Sequence, residues 1–435
     1  MKNLKKTISE LHTFFILWIT QSFSVLGSEM TNFALVIWVY QQHGSALMTA
    51  LLTICSYVPY ILLSIFAGAL SDKWNKKLTM LVCDSFAALC SATVLVLLTT
   101  GTLELWHLYL INALNGLMNT VQQPASEVAI SLLTSPKHYQ KVSGVRSLSN
   151  SLITVLTPAL AATMLAFTTI QVVIFFDLMT FSVAFIVLLG FIKIPNVAKQ
   201  RPDKKETVLQ SAKKGLNFLK NNRGILDLIL FLSIINFTVS IFNAALPAMI
   251  LSRTVGGKTA LGMVNTFSGL AMVLGSILVT VAPTPKSRVR VIFSSLLFSM
   301  STENFILAFG RSTPIWCFGA VLGWLFIPVM TAQMDVLLRS IVPVQMQGRV
   351  YSVRNTLQFF SIPVGYFCGG ILIDKVFEPF MAVQQPHSLW SFLFGVGKGS
   401  GAAFLFMVIG IVGTLSCLPF LTDKNIWKLE NKKSA

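Results

Sequence analysis

The sequence predicts an all-α membrane protein of about twelve spanning helices in two six-helix halves, and three observations lead there. Of its 435 residues 54% are apolar and only 11% are charged, where a soluble domain carries about a quarter charged. The apolar residues fall into runs long enough to cross a bilayer, which takes roughly 20 residues. Lys and Arg collect on alternate joints between those runs, as cytoplasmic loops require. Twelve runs and their joints use nearly the whole chain, leaving no sizeable soluble domain.

The first run follows Lys2, Lys5 and Lys6 and continues from Leu11 to Tyr40 without a small-residue cleavage site. It therefore reads as a retained span at 11–40 rather than a secretory signal. Later runs place spans at 46–70, 78–100, 104–128, 141–166 and 169–193, then at 224–251, 258–282, 288–310, 314–338, 347–376 and 399–421. The segment 194–223 is the longest and most polar joint. It divides the chain into a first half (1–193), a cytoplasmic linker (194–223) and a second half (224–435).

With both termini cytoplasmic, 28 of the 33 Lys and Arg residues lie on the cytoplasmic side, and only Arg253, Lys258, Arg311, Lys375 and Lys398 do not. One span too many or too few would invert every later joint and spoil this bias. The formal charge of +17 is thus a topological signal, and no nucleic-acid partner is expected; the lipid bilayer is the partner. Recurrence at an offset of 207 (Gly68/Gly275, Gly116/Gly323, Pro136/Pro343) supports two parallel halves. The cysteines Cys55, Cys83, Cys90, Cys317, Cys368 and Cys417 stand singly in apolar runs. They read as small hydrophobes, and neither a metal nor a cofactor is expected.

Polar residues inside spans must face protein or water. The first span carries Gln21, Ser28, Glu29 and Asn32. The fourth carries Asn112, Asn115, Asn119, Gln122 or Gln123, and Ser126 on one face; the seventh carries Asn236, Ser240, Asn243 and Pro247. The fifth (Ser147, Asn150, Thr154, Pro158) and eleventh (Arg354, Gln358, Ser361, Gly365) behave alike. Amide and small residues also gather where helices pack, but five stripes, two of them in corresponding spans, point to a shared cavity.

Glu29 stands out because an ionised carboxylate at mid-bilayer costs at least ~2.5–3.5 kcal/mol. It is the candidate for proton coupling, or for the counter-ion of a cationic substrate. Asp177 and Glu303 are the other acids within spans and read as helix contacts. Glu127, Arg146, Asp335, Arg339, Arg349 and Arg354 cluster near cytoplasmic helix ends, where ion pairs could latch a gate.

The joint after the second span reads Gly68-Ala-Leu70-Ser-Asp72-Lys73-Trp-Asn75-Lys76-Lys77. It resembles the G-x-L-x-D-[RK]-x-[GN]-[RK]-[RK] signature of the major facilitator superfamily at all seven specified positions. The resemblance implies gating roles for Gly68, Asp72, Lys73 and Lys77. More widely the chain is similar to the macrolide-efflux type, related to drug–proton antiporters, over Gln21 to Tyr40, Pro59 to Lys77, Asn112 to Ala125 and Val342 to Phe380. Two family motifs are altered. The fourth-span R-x-x-Q-G is Asn112-Ala-Leu-Asn115-Gly116, without the arginine, and the fifth-span G-P-x-x-G-G is Thr157-Pro158-Ala-Leu-Ala161-Ala162.

Together these readings lead to a monomeric secondary transporter of the cell membrane that exports amphipathic small molecules, macrolide-, drug- or peptide-like, in exchange for protons. An uptake symporter is the alternative within the class, and a lipid scramblase or channel the alternative outside it. No catalytic motif stands in a setting that suits it, so no enzyme is expected.

Overall fold

The computed structural model describes residues 11–134, 139–195, 208–283, 285–342 and 344–430. Within these, the side chains of 64–73, 139–141, 143, 144, 147, 208–212, 280, 339, 344–349, 351 and 352 lie outside the description. Among the described residues every regular element is helical. That is what a bilayer imposes, since each backbone N–H and C=O must be satisfied within its own segment.

The first six membrane-length helices are α1 (His12–His43), α2 (Ala46–Lys73), α3 (Lys76–Thr99), α4 (Leu105–Leu133), α5 (Tyr139–Phe167) and α6 (Ile170–Gly190). Six more follow: α7 (Arg223–Ser252), α8 (Lys258–Val281), α9 (Arg288–Phe309), α10 (Thr313–Leu325 continued by Ile327–Ile341), α11 (Val344–Ile371) and α12 (Ser400–Thr422). Eleven of these rods are long and apolar enough to cross a membrane by composition alone. The twelfth is α4, whose 29 residues suffice in length. Its amides Asn112, Asn115, Asn119, Gln122 and Gln123 are spread along four turns, so no stretch of it is apolar enough to be picked out by composition alone.

Three features depart from simple rods. α10 breaks at Phe326, just before Pro328, whose missing N–H and ring interrupt the helix. α11 loosens into a π-turn, Leu372–Phe377, and resumes over Glu378–Ala382. The linker holds an amphipathic helix, Val208–Asn221, with Leu219 fully buried and Lys213 and Lys220 exposed.

The chain divides into two compact units, Met1–Trp38 with Cys55–Lys205, and Val39–Ile54 with Glu206–Ala435. The boundary falls inside α1, so the end of α1 and the start of α2 belong with the second unit. There Tyr40 Oη donates to the Ala248 carbonyl at 3.1 Å and lies 2.6 Å from Ser252 Oγ. Asp374, on the π-turn of α11, accepts from Ser45 Oγ (2.5 Å) and from the backbone N–H of Ala46 and Leu47 (3.0 Å each). It satisfies donors that the first turn of a helix leaves open and places negative charge at the positive end of the helix dipole.

The second unit's core runs through Leu228, Ile229, Leu232, Val289, Ile292, Leu296, Leu337 and Phe420. The first unit is held by smaller clusters around Leu17, Met80, Ala125 and Leu188, and around Leu11, Phe14 and Val142. Where helices must approach closely, glycine permits it. A Cβ at Gly116 of α4 would overlap the Ser56 carbonyl of α2, and one at Gly275 of α8 would overlap the Leu325 carbonyl of α10.

Candidate functional site

Inside the first unit, α1, α3, α4 and α6, with Ser56 of α2, enclose a cavity of about 190 Å³. α1 contributes Gln21, Ser24, Ser28, Glu29, Thr31 and Asn32, and α4 contributes Asn112, Asn115, Asn119 and Gln122. From α3 come Asp84, Ala87, Ala88 and Ser91, and from α6 Asp177, Leu178 and Phe181. These positions repeat every three to four residues on each helix, so one face of each rod turns inward. The two alanines of α3 leave the room that larger side chains would fill.

Eight residues expected to line a cavity therefore meet here: Gln21, Ser28, Glu29, Asn32, Asn112, Asn115, Asn119 and Gln122. Gln123, one position on, turns away and accepts a bond from Tyr60 Oη at 3.3 Å. Asn236 lines a separate cavity of about 140 Å³ in the second unit, beside Glu303 and Trp324. Ser240, Asn243 and Gln358 line neither cavity. Ser240 is buried and donates to the Asn236 carbonyl of its own helix at 2.7 Å, close to Gly365 of α11.

Three carboxylates share the first cavity, and two of them are held on both oxygens. Asp84 accepts from Gln21 Nε2 of α1 at 3.1 Å and, on its other oxygen, from Gln122 Nε2 of α4. Asp177 accepts from Ser28 Oγ of α1 and Ser91 Oγ of α3, each at 2.9 Å. Gly27 lets α1 approach there, since a Cβ on it would stand 2.9 Å from Asp177 Cα. Glu29 differs: it lines the cavity and accepts no hydrogen bond among the described residues. The cavity has no Lys, Arg or His in its lining.

Sequence reasoning set Asp177 aside as a helix contact and passed over Asp84. The available signal was the same as for Glu29, an acid within a span. What gives Asp84 its place is Gln21 and Gln122 on two other helices, which a single stripe does not display. Glu303 is indeed a helix contact. It is buried, accepts from Trp324 Nε1 at 3.1 Å, and presses on Gly323, where no Cβ would fit.

Of the gating candidates, the side chains of Gly68, Asp72, Lys73, Arg339 and Arg349 lie outside the described residues. Lys77 Nζ donates to the carbonyls of Leu189 (2.9 Å) and Ile192 (2.8 Å) at the C-terminal end of α6, the negative end of the helix dipole. Asn75 of the same joint caps α3 by accepting from the Leu78 N–H at 3.1 Å. The other charges pair within units. Arg146 of α5 grips both oxygens of Glu127 of α4, with Nη1 at 2.7 Å from Oε2. Arg354 Nη1 of α11 stands 3.6 Å from Asp335 Oδ1 of α10. Residues 127 and 335, and 146 and 354, share an offset of 208, so one ion pair recurs on corresponding helices of the two halves.

Comparison with known proteins agrees with this architecture. Macrolide efflux protein A of Streptococcus pyogenes is 19% identical over 366 residues, covering 83% of this chain and 90% of that protein. The uncharacterized MFS-type transporter YfiS of Bacillus subtilis is 26% identical over 380 residues, covering 82% and 86%. Among solved structures, a mutant of the nucleoside transporter NupG superposes with a TM-score of 0.72 at 14% identity, covering 94% of this chain and 99% of that one. At that identity the likeness concerns the fold. The family model of the Major Facilitator Superfamily matches residues 17–282, well over half the chain. The chain belongs to the Major Facilitator Superfamily and is a membrane transporter, with the twelve-helix fold its sequence predicts.

Proposed function

We propose that this transporter exports amphipathic small molecules in exchange for protons, as a monomer in the cell membrane with both termini in the cytoplasm. The observation that carries the reading is the contrast among the three cavity carboxylates. Asp84 and Asp177 are fixed by two donors each, whereas Glu29 has none. A group that takes up and releases a proton in each cycle must change partners, and the unengaged carboxylate is the one able to do so.

Amides and hydroxyls alternate in the cavity wall with Val25, Leu35, Ile111, Met118 and Phe181, a lining that suits a ligand part polar and part apolar. The likeness to macrolide efflux proteins supports export as the direction. Proton entry supplies about 2.3 kcal/mol per charge for each 100 mV of membrane potential. Motion of one half against the other then exposes the site alternately.

Everted membrane vesicles with an acidic lumen test the proposal, using the fluorescent cation ethidium as the transported probe. Accumulation in the lumen that vanishes in Glu29→Gln, at unchanged protein level, is the expected result. Undiminished accumulation in that variant rejects the coupling role. Accumulation only in right-side-out vesicles makes the protein an uptake symporter, and gradient-independent equilibration makes it a channel or scramblase.

A further inference from the structure

The joint between α11 and α12 is apolar without being a span. From Pro379 to Gly397 the chain carries no Asp, Glu, Lys or Arg. Within it stands a short helix, Leu389–Phe394. One side of that helix packs inside the second unit. Trp390 and Phe394 stack on Phe404 of α12 with ring centroids 5.0 and 4.9 Å apart, and Phe394 stacks on Phe309 of α9 at 5.8 Å. The other side is bare among the described residues. Val383, Leu389, Phe392 and Val396 are 65–79% exposed, and a contiguous apolar face of this kind marks a contact surface.

The backbone of the joint is the second consideration. A helix in water can leave its terminal N–H and C=O groups to solvent, whereas one in lipid must find partners within the protein. Here both ends are provided for. Ser388 Oγ accepts the Ser391 N–H at 3.2 Å, and Ser391 Oγ donates to the Gln385 carbonyl at 2.8 Å. At the other end Arg253 Nη2 donates to the Phe394 carbonyl at 2.6 Å, and Arg311 Nη2 donates to the Phe392 carbonyl. Gly395, whose φ of +83° closes the turn, donates its N–H to the Ser391 carbonyl at 3.0 Å. Few basic residues stand on this side of the chain, and two of them are committed to the last carbonyls of one short helix.

The neighbours identify the occupant of the bare face. Arg253 follows the end of α7 remote from the linker helix, so the joint lies at that end of the spans. Phe309 of α9, on which it stacks, is itself 44% exposed, which makes the bare face continuous with the outer surface of a membrane span. Arg311 and Lys398, both exposed, border the joint. Cationic side chains at this level reach the phosphate groups of lipids while apolar side chains point into the acyl region.

We propose that residues 383–396 lie within the phospholipid leaflet opposite the linker helix, with Val383, Leu389, Phe392 and Val396 among the acyl chains and Arg311 and Lys398 at the phosphates. The joint is an interfacial anchor that holds the second unit at a fixed depth, and its two arginines replace the water that its carbonyls lose on entering lipid.

Two measurements on the full-length protein in phosphatidylcholine–phosphatidylglycerol liposomes test this. Unaltered protein is photolabelled by a phosphatidylcholine carrying a diazirine on its acyl chain, and labelling of the peptide 383–396 is expected. A peptide left bare while α12 is labelled overturns the proposal. Spin labels are then placed by Leu389→Cys and Phe392→Cys, each combined with Cys55→Ser and Cys368→Ser because those two cysteines are only half-buried. Collisions with dissolved oxygen should exceed those with a water-soluble nickel chelate at both positions, and the reverse order at either one overturns the proposal. Spin–spin broadening that survives dilution with lipid would assign the face to a second copy of the chain, and equally overturns it.

Discussion

Replacing Asp84 separates its charge from its role as a bracket between helices. Its carboxylate accepts Gln21 of α1 and Gln122 of α4, so Asp84→Ala removes two interhelical bonds at once and leaves two amides inside the first unit. Interhelical side-chain bonds in membrane proteins are worth about 0.6 kcal/mol on average and about 1.7 at most. Asp84→Ala should therefore destabilise the folded protein by about 1–3 kcal/mol. Asp84→Asn keeps a carbonyl acceptor and an amide that a flipped glutamine carbonyl can accept, so it should cost less than about 1 kcal/mol. Gln21→Ala and Gln122→Ala should each fall between the two. Cys83 and Cys90 on the same helix are free and buried, so thermal unfolding in detergent can be followed by their reaction with a thiol-reactive fluorophore. Equal stability of the Ala and Asn variants, or an Ala variant as stable as the parent, would refute the bracket.

Three further outcomes follow from the geometry. Gly116→Val and Gly275→Val force side chains into the Ser56 and Leu325 carbonyls and should each lower stability by about 1–3 kcal/mol; a melting temperature unchanged in either denies the close approach. A double-mutant cycle on Glu127 and Arg146, whose side chains are 50% and 35% exposed, should give a coupling of about 0.2–1 kcal/mol that declines with salt, and zero coupling at low salt counts against the pair. Asp374→Ala removes the acceptor at the start of α2 and should cost about 0.5–2 kcal/mol, with Asp374→Asn less damaging; amide exchange at Ala46 and Leu47 reports it, and unchanged protection there rejects the cap.

The rods were legible because the bilayer leaves a chain few choices. Each described helix longer than twenty residues coincides with an apolar run, and the break in α10 has a local cause in Pro328. The helix Val208–Asn221 went unread within a polar joint. Its apolar positions at Ala212, Leu216 and Leu219 recur at helical spacing, but nine basic residues between 193 and 223 dominate the segment. The α1 and α4 stripes led to the cavity, since a polar face on a buried rod needs polar company. Asp84 stayed hidden because its partners lie 63 and 38 residues away, and only folding brings them together. Gln123 shows the converse limit: one residue along α4 turns a side chain about 100°, and the alternation between Gln122 and Gln123 was decided by the neighbouring helices.

The most direct test of the account is the sign of proton movement when substrate crosses the membrane. Protein reconstituted into liposomes loaded with the pH dye pyranine, with potassium and valinomycin holding the potential constant, should raise its internal pH when ethidium is added outside, because each entering cation exchanges for departing protons. Glu29→Gln vesicles should show no rise. A fall in internal pH would mean symport, and a rise preserved in Glu29→Gln would remove the carboxylate from the coupling step.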